Sequence, residues 1–287
     1  MRRSHPRTPR RSGRPIVVVL AVAVAVLLAG CAGGTGGQRG APSPGTLPHY
    51  DSAAALGAAI AARQRTDRTA KINMTSEAAG QHITGEGAIR FEDSGPSLAV
   101  TEHLHAANNP EATSEIGLVV LADQAFVKPP PGTTSRPLPA GKSWLAVAPN
   151  SGDPIAARFA QQAQSMRQSA DAASLSQYGP AASIVNTTDE PLDGTPTVRY
   201  QVQLNLAKAV EVQQNPAIKQ SLASVVAAGI ATVDIAIWLD ALDHPLRALV
   251  RQILPGSLGR LTVDMRYRDW GQPIQITPPP ADQIAQG

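Results

Sequence analysis

The chain has 287 residues, and 43% of them are hydrophobic, which is enough for one large domain or two small ones. It has 25 basic and 22 acidic residues. Six arginines lie within the first 14 positions, so the remainder has 19 basic and 22 acidic residues, a net charge of about −3. This balance argues against nucleic-acid binding, which needs a clustered basic surface.

The amino terminus has a basic start, an apolar run and a cysteine in that order. The run from Ile16 to Leu28 is as long as the apolar core of a signal peptide. It is shorter than the roughly 20 residues of a membrane-spanning helix. The run ends in Leu28-Ala29-Gly30-Cys31, which resembles the lipobox of bacterial lipoproteins. The resemblance implies that residues 1–30 are removed as a signal peptide and that a lipid is attached to Cys31.

Each part of this segment has an alternative interpretation: the arginines as a disordered basic arm, the apolar run as a short uncleaved anchor and Cys31 as an ordinary thiol. The order of charge, apolar length and cysteine favours the lipoprotein interpretation. The paired arginines leave the choice between general and twin-arginine export open. Cys31 is the only cysteine, so no intramolecular disulfide can form and the core must hold the domain together.

Residues 31–48 are rich in Gly, Ser, Thr and Pro, and we expect a lipidated flexible tether there. The next segment, 49–277, has the patterns of a folded domain, and 278–287 is a Pro-rich tail. A first helix begins at Asp51 or Ser52 and runs to about Arg65. Further helical patterns cover 153–178 and 207–228, the latter interrupted at Asn215-Pro216.

Apolar and polar residues alternate in the other segments, which predicts about ten half-buried antiparallel strands. No strand-helix-strand rhythm indicates a parallel sheet. The sequence therefore predicts an α+β fold. It is a single strongly curved antiparallel sheet, a half-barrel, with helices on its concave face.

The carboxyl-terminal strand runs from Val263 to Arg268 and continues as Asp269-Trp270-Gly271-Gln272-Pro273-Ile274. A strand that leads into such a Trp-Gly turn and a Pro-rich tail resembles the actinobacterial lipoproteins of the LppX/LprG type. The lipobox and the Ala-rich first helix, which leads into Thr69-Ala70-Lys71-Ile72, also match that type. The resemblance implies the half-barrel fold of the LolA lipoprotein carriers, a role in carrying acylated lipids and no catalytic residues.

The inward side of the strands would line an apolar cavity. Acyl chains would gain roughly 0.8 kcal/mol for each CH₂ group that they bury in it. The alternative is that the same side chains pack against the helices. The predicted lining consists of Met74, Ile89, Val100, Leu118, Val202, Ile235 and Val263.

Other chemistry has weaker support. His103 and His105 share one face of a strand, but a metal site needs further ligands, so we expect no metal and no cofactor. No nucleophile-elbow or phosphate-loop motif occurs, and Asp234 and Asp240 are interpreted as solvated. We expect a protein that is not an enzyme. It would be attached to the extracytoplasmic face of the cell membrane and bind an acylated lipid or glycolipid. An adaptor that binds an envelope protein and an envelope hydrolase are the alternatives.

Overall fold

A computed structural model describes residues 46–78, 80–93, 95–106, 109–134, 137–147, 160, 163, 178–255 and 259–286. Cys31, the predicted signal peptide and most of the predicted tether lie outside these ranges. Of the predicted helix at 153–178, the described residues are Ala160 and Ala163, which are helical, and Tyr178. Within the described ranges, no helix is both long enough and apolar enough to cross a membrane.

Three α-helices and twelve β-strands are described. The helices are α1 (Ala53–Asp67), α2 (Leu206–Val212) and α3 (Pro216–Ala227). The strands are β1 (Thr69–Ala78), β2 (Gln81–Arg90), β3 (Ser97–Ala106), β4 (Asn109–Val120), β5 (Ala125–Lys128), β6 (Trp144–Val147), β7 (Ala182–Asp189), β8 (Val198–Asn205), β9 (Thr232–Leu239), β10 (Pro245–Ile253), β11 (Arg260–Arg268) and β12 (Ile284–Gln286). The break between α2 and α3 confirms the predicted interruption at Asn215-Pro216.

All twelve strands belong to one open sheet in the order β12-β6-β5-β4-β3-β2-β1-β11-β10-β9-β8-β7. The fold class is confirmed, with two differences. There are twelve strands instead of about ten, and the sheet is mixed because β12 pairs parallel with β6. The Ser143 N–H donates to the Gln283 carbonyl at 3.0 Å, and this bond holds the carboxyl-terminal segment beside β6. A strand of three residues is too short to be recognised by alternation.

Helix α1 shows why the sheet is curved. Ser52 caps the helix by accepting a hydrogen bond from the Ala55 N–H at 3.2 Å. The sheet-facing residues Leu56 and Ile60 belong to one buried cluster that includes residues of β1, β2 and β8 to β11. Six flat strands would spread over about 24 Å, much more than the width of one helix of about 10 Å. The strands therefore wrap around α1, and their inner surface is called the concave face below.

A polar network fastens the carboxyl-terminal end of α1 to the turn between β9 and β10. Asp67 accepts two hydrogen bonds from Arg63 at 2.6 and 2.7 Å. The two ring nitrogens of His244 lie 2.7 Å from Asp67 and 2.8 Å from Asp240. Burial opposes ionisation of Asp240, but hydrogen bonds from the His244 ring and N–H outweigh it and lower the pKa of this carboxyl. The prediction that Asp240 is solvated is therefore wrong, because its side chain is only 18% exposed.

Close packing of β2 against β3 requires a glycine at position 87. A Cβ atom there would overlap the carbonyl oxygen of Ala99 and lie 2.9 Å from the Cα of Val100. A Cβ at Gly85, two residues away on the same face, would meet ordinary contacts of 3.4 to 3.6 Å. Only Gly87 is therefore essential for the close approach of β2 and β3.

We expect Gly87→Ala to destabilise the fold by about 2 kcal/mol, since the two strands must separate to admit the methyl group. Thermal unfolding should show a melting temperature lower by about 5 °C. Gly85→Ala is the matched control and should change the melting temperature much less. Equal effects of the two variants would contradict the close approach at Gly87.

Candidate functional site

The seven residues predicted to line a cavity all lie on the concave face. Val202, Ile235 and Val263 are at most 3% exposed and belong to the same buried cluster as Leu56 and Ile60 of α1. Met74 and Ile89 belong to that cluster too, whereas Leu118 packs with Ala163. Val100 is half-buried. Protein side chains thus occupy much of the concave face, and contact of these residues with a ligand stays a prediction.

On β2, β3 and β4, several side chains of the concave face are only partly buried by other residues. Strand pairing places Ile83 opposite Leu104 and Gly87 opposite Val100 on the concave face. Ile83, Val100 and Leu104 are half-buried, although their side chains are aliphatic. The name concave patch is used below for this region, which consists of the side chains of Ile83, Val100, Glu102, Leu104 and Ile116 and the backbone of Gly85 and Gly87. Partly exposed apolar surface on a concave face is typical of a binding site.

The concave patch contains one carboxyl group, that of Glu102. Cross-strand pairs place it in a row that runs Met265, Met74, Gly85, Glu102, Ile116. A Cβ on Gly85 would lie 3.4 Å from the Met74 Cε and 3.6 Å from the Glu102 Cγ. The missing side chain of Gly85 therefore leaves a gap between the thioether of Met74 and the stem of Glu102.

The side chain of Glu102 has no hydrogen bond or ion pair with the residues that the structure describes. Its concave neighbours on β3 are Val100 and Leu104, and its cross-strand partners are Gly85 and Ile116. Burial among these groups raises the pKa of the Glu102 carboxyl. An ionised carboxylate without a partner is unfavourable on such a surface.

We expect Glu102→Gln to raise the melting temperature at pH 7 by about 2 °C, because it removes an unpaired charge from an apolar surface. A raised pKa in the folded state means that the wild type gains stability as the pH falls. The contribution is complete below the pKa of the unfolded chain and is lost as the pH rises through the folded value. The difference between variant and wild type should therefore vanish at about pH 3.5.

Thermal melts at several pH values check this prediction. Glu86→Gln is the matched control, because Glu86 is exposed and lies on the opposite face of β2. At each pH, the melting temperature of Glu86→Gln should lie close to that of the wild type. A Glu102→Gln protein that melts below the wild type at pH 7 would show that the carboxylate has a stabilising partner.

The histidines of β3 lie on the opposite face. The His105 Nε2 lies 3.4 Å from the hydroxyl of Thr84, and its ring centroid is 5.2 Å from that of His82. Across the described part of the chain, no group of three His, Cys, Asp or Glu residues has the arrangement of a metal site.

Sequence reasoning missed two polar features. Glu102 was available from the alternation of β3, which places it on the same face as Leu98 and Val100 and opposite His103. The contact between Asp67 and His244 joins positions 177 residues apart. No local pattern predicts such a contact.

The comparisons with known proteins give only distant matches. Neither a protein-family model nor a curated protein sequence matches the chain. The crystal structure of LprF from Mycobacterium bovis is similar at 12% identity and a TM-score of 0.44, over 84% of this chain and 99% of that one. The Pseudomonas aeruginosa MucA/MucB complex matches at 14% identity and a TM-score of 0.33, over 74% of this chain and 55% of that one.

LprF is of the lipoprotein type that the carboxyl-terminal motif resembles. At these identities and TM-scores, membership of that family stays an expectation. The fold is defined by the strand order and helix packing of this chain itself.

Proposed function

We propose that the protein is a lipoprotein of the extracytoplasmic membrane face that binds acylated lipids for carriage or transfer in the cell envelope. It catalyses no reaction in this proposal. The single observation that carries it is the concave patch. Partly exposed aliphatic side chains and two glycines form this region, whereas most inner residues of β8 to β11 are buried in one cluster with residues of α1 and α2.

The physical basis is the transfer of acyl chains out of water. Each buried CH₂ group contributes roughly 0.8 kcal/mol, so a chain segment of six CH₂ groups would gain about 5 kcal/mol. Ile83, Val100 and Leu104 supply branched aliphatic contacts without directional bonds. Such a surface accepts chains of different length, while the polar part of the lipid stays near solvent.

The proposed anchor joins the domain at a defined point. The Tyr200 hydroxyl donates to the Pro48 carbonyl at 2.6 Å, and the Tyr50 hydroxyl donates to Asp243 at 2.7 Å. The chain is therefore held from Pro48 onward. A Gly-rich tether that connects Cys31 to Pro48 has an average span of about 23 Å. The domain would stay close to the bilayer and be free to turn.

Cys31→Ser should abolish incorporation of an alkyne-tagged palmitate into the protein, because the hydroxyl does not replace the thiol as lipid acceptor. Metabolic labelling and a blot for total protein measure this. Ser43→Ala, which also lies in the predicted tether, is the control and should keep its label. Labelling of Cys31→Ser at the wild-type level would contradict the anchor.

Lipid binding is tested on the full-length protein purified in detergent. Mass spectrometry of extracted lipids should show acylated lipids bound to the wild type, and a neutral pyrene-labelled acylglycerol should bind saturably. Leu104→Asn should weaken binding of the probe about tenfold, since it removes aliphatic contact from the concave patch.

His103→Asn is the matched control on the opposite face of the same strand and should bind as the wild type does. Absence of bound lipid and of probe binding in the wild type would contradict the proposal. Equal weakening by Leu104→Asn and His103→Asn would contradict the location of the site.

A further inference from the structure

We infer that the concave patch selects uncharged acylated lipids with a free hydroxyl beside their acyl chains, and that the Glu102 carboxylate accepts the hydrogen bond from that hydroxyl. This inference rests on the proposed function and names the ligand class of the same site. It is carried by the position of Glu102 and by the residues around it.

The Glu102 carboxyl has no cationic side chain beside it on the concave face of the described strands. The nearest concave positions on β2 are Ile83, Gly85 and Gly87, and those on β4 are Ser114, Ile116 and Leu118. None of these residues has a cationic side chain, and the one hydroxyl among them, that of the exposed Ser114, forms no hydrogen bond with Glu102. The described part of the chain therefore provides a carboxylate in an aliphatic surface without a compensating group, which a ligand can supply.

The charge of the Glu102 carboxylate defines the chemistry of a ligand group that would bind it. An ionised carboxylate only accepts hydrogen bonds, so its complement is a donor. A hydroxyl that binds it forms a charge-assisted bond, which increases affinity about tenfold or more. A phosphate at the same place would meet a like charge and lose affinity. The site should therefore discriminate between lipids that have the same acyl chains.

Access to the Glu102 carboxyl is shaped by the small gap beside Gly85. Gly85 lies beside Glu102 in the same cross-strand row, and its missing side chain leaves the gap described above. A hydroxyl on the first carbons next to an acyl chain can enter this gap while the chain lies along Val100 and Leu104. Gly85 itself is buried, and the gap has room for one group the size of a methyl or a hydroxyl beside the carboxyl of Glu102.

The test compares three ligands with identical acyl chains. They are a diacylglycerol, its 3-O-methyl ether, which lacks the donor, and the corresponding phosphatidic acid. Each competes with the neutral pyrene-labelled acylglycerol for the full-length protein in detergent. We expect the diacylglycerol to bind the wild type about tenfold more tightly than either of the other two lipids.

In Glu102→Gln, the preference for the diacylglycerol over its methyl ether and over the phosphatidic acid should fall to less than about threefold in each case, because the amide has no charge. Glu86→Gln is the control for a lost carboxylate on the opposite face and should keep the wild-type ratios. Circular dichroism melts confirm that both variants are folded.

The possible failures are distinguishable. Equal displacement by all three lipids, or ratios that Glu102→Gln leaves unchanged, would overturn the role of Glu102 and leave lipid binding intact. Tighter binding of phosphatidic acid than of the diacylglycerol would overturn the ligand class. Failure of all three lipids to bind would remove the proposed function as well.

Discussion

The structure depends on covering the apolar inner face of one very wide sheet. Helix α1 has 15 residues and is about 22 Å long, whereas twelve strands at about 4.8 Å spacing extend over about 53 Å. One helix cannot cover such a face. The strands therefore curve around α1. Helices α2 and α3 contribute further side chains to the same hydrophobic cluster, among them Leu206 and Leu222. The concave patch lies on β2 to β4, where several inner side chains remain half-buried.

Polar groups at the inner face are treated in two different ways. At one end of α1, Asp67, His244 and Asp240 satisfy one another, and this network fixes the turn between β9 and β10 against the helix. In the concave patch, Glu102 is left among aliphatic groups with no such partner in the described part of the chain. The first arrangement is the usual solution for buried charge. The second reduces stability, and groups of this kind are commonly found where a ligand completes the site.

The glycines of β2 show how backbone packing and the candidate site are connected. Gly87 permits the close approach of β3, which brings Val100 and Glu102 to their positions. Gly85 is not needed for that approach, but its missing side chain leaves a small gap beside the carboxyl of Glu102. Two residues of the same type on one strand therefore have different roles, one in the stability of the sheet and one in the shape of the patch.

The sequence by itself determined the local structure and the faces of the strands. Alternation with a period of two assigns Val202, Ile235 and Val263 to the inner face, and Pro216 interrupts a helix because it lacks the N–H group. Only the tertiary structure decided which inner residues are covered, that Asp240 meets His244 and Asp67, and that β12 joins β6. Periodicity reports the direction in which a side chain points. Coverage depends on contacts between residues far apart in the chain, which no local pattern contains.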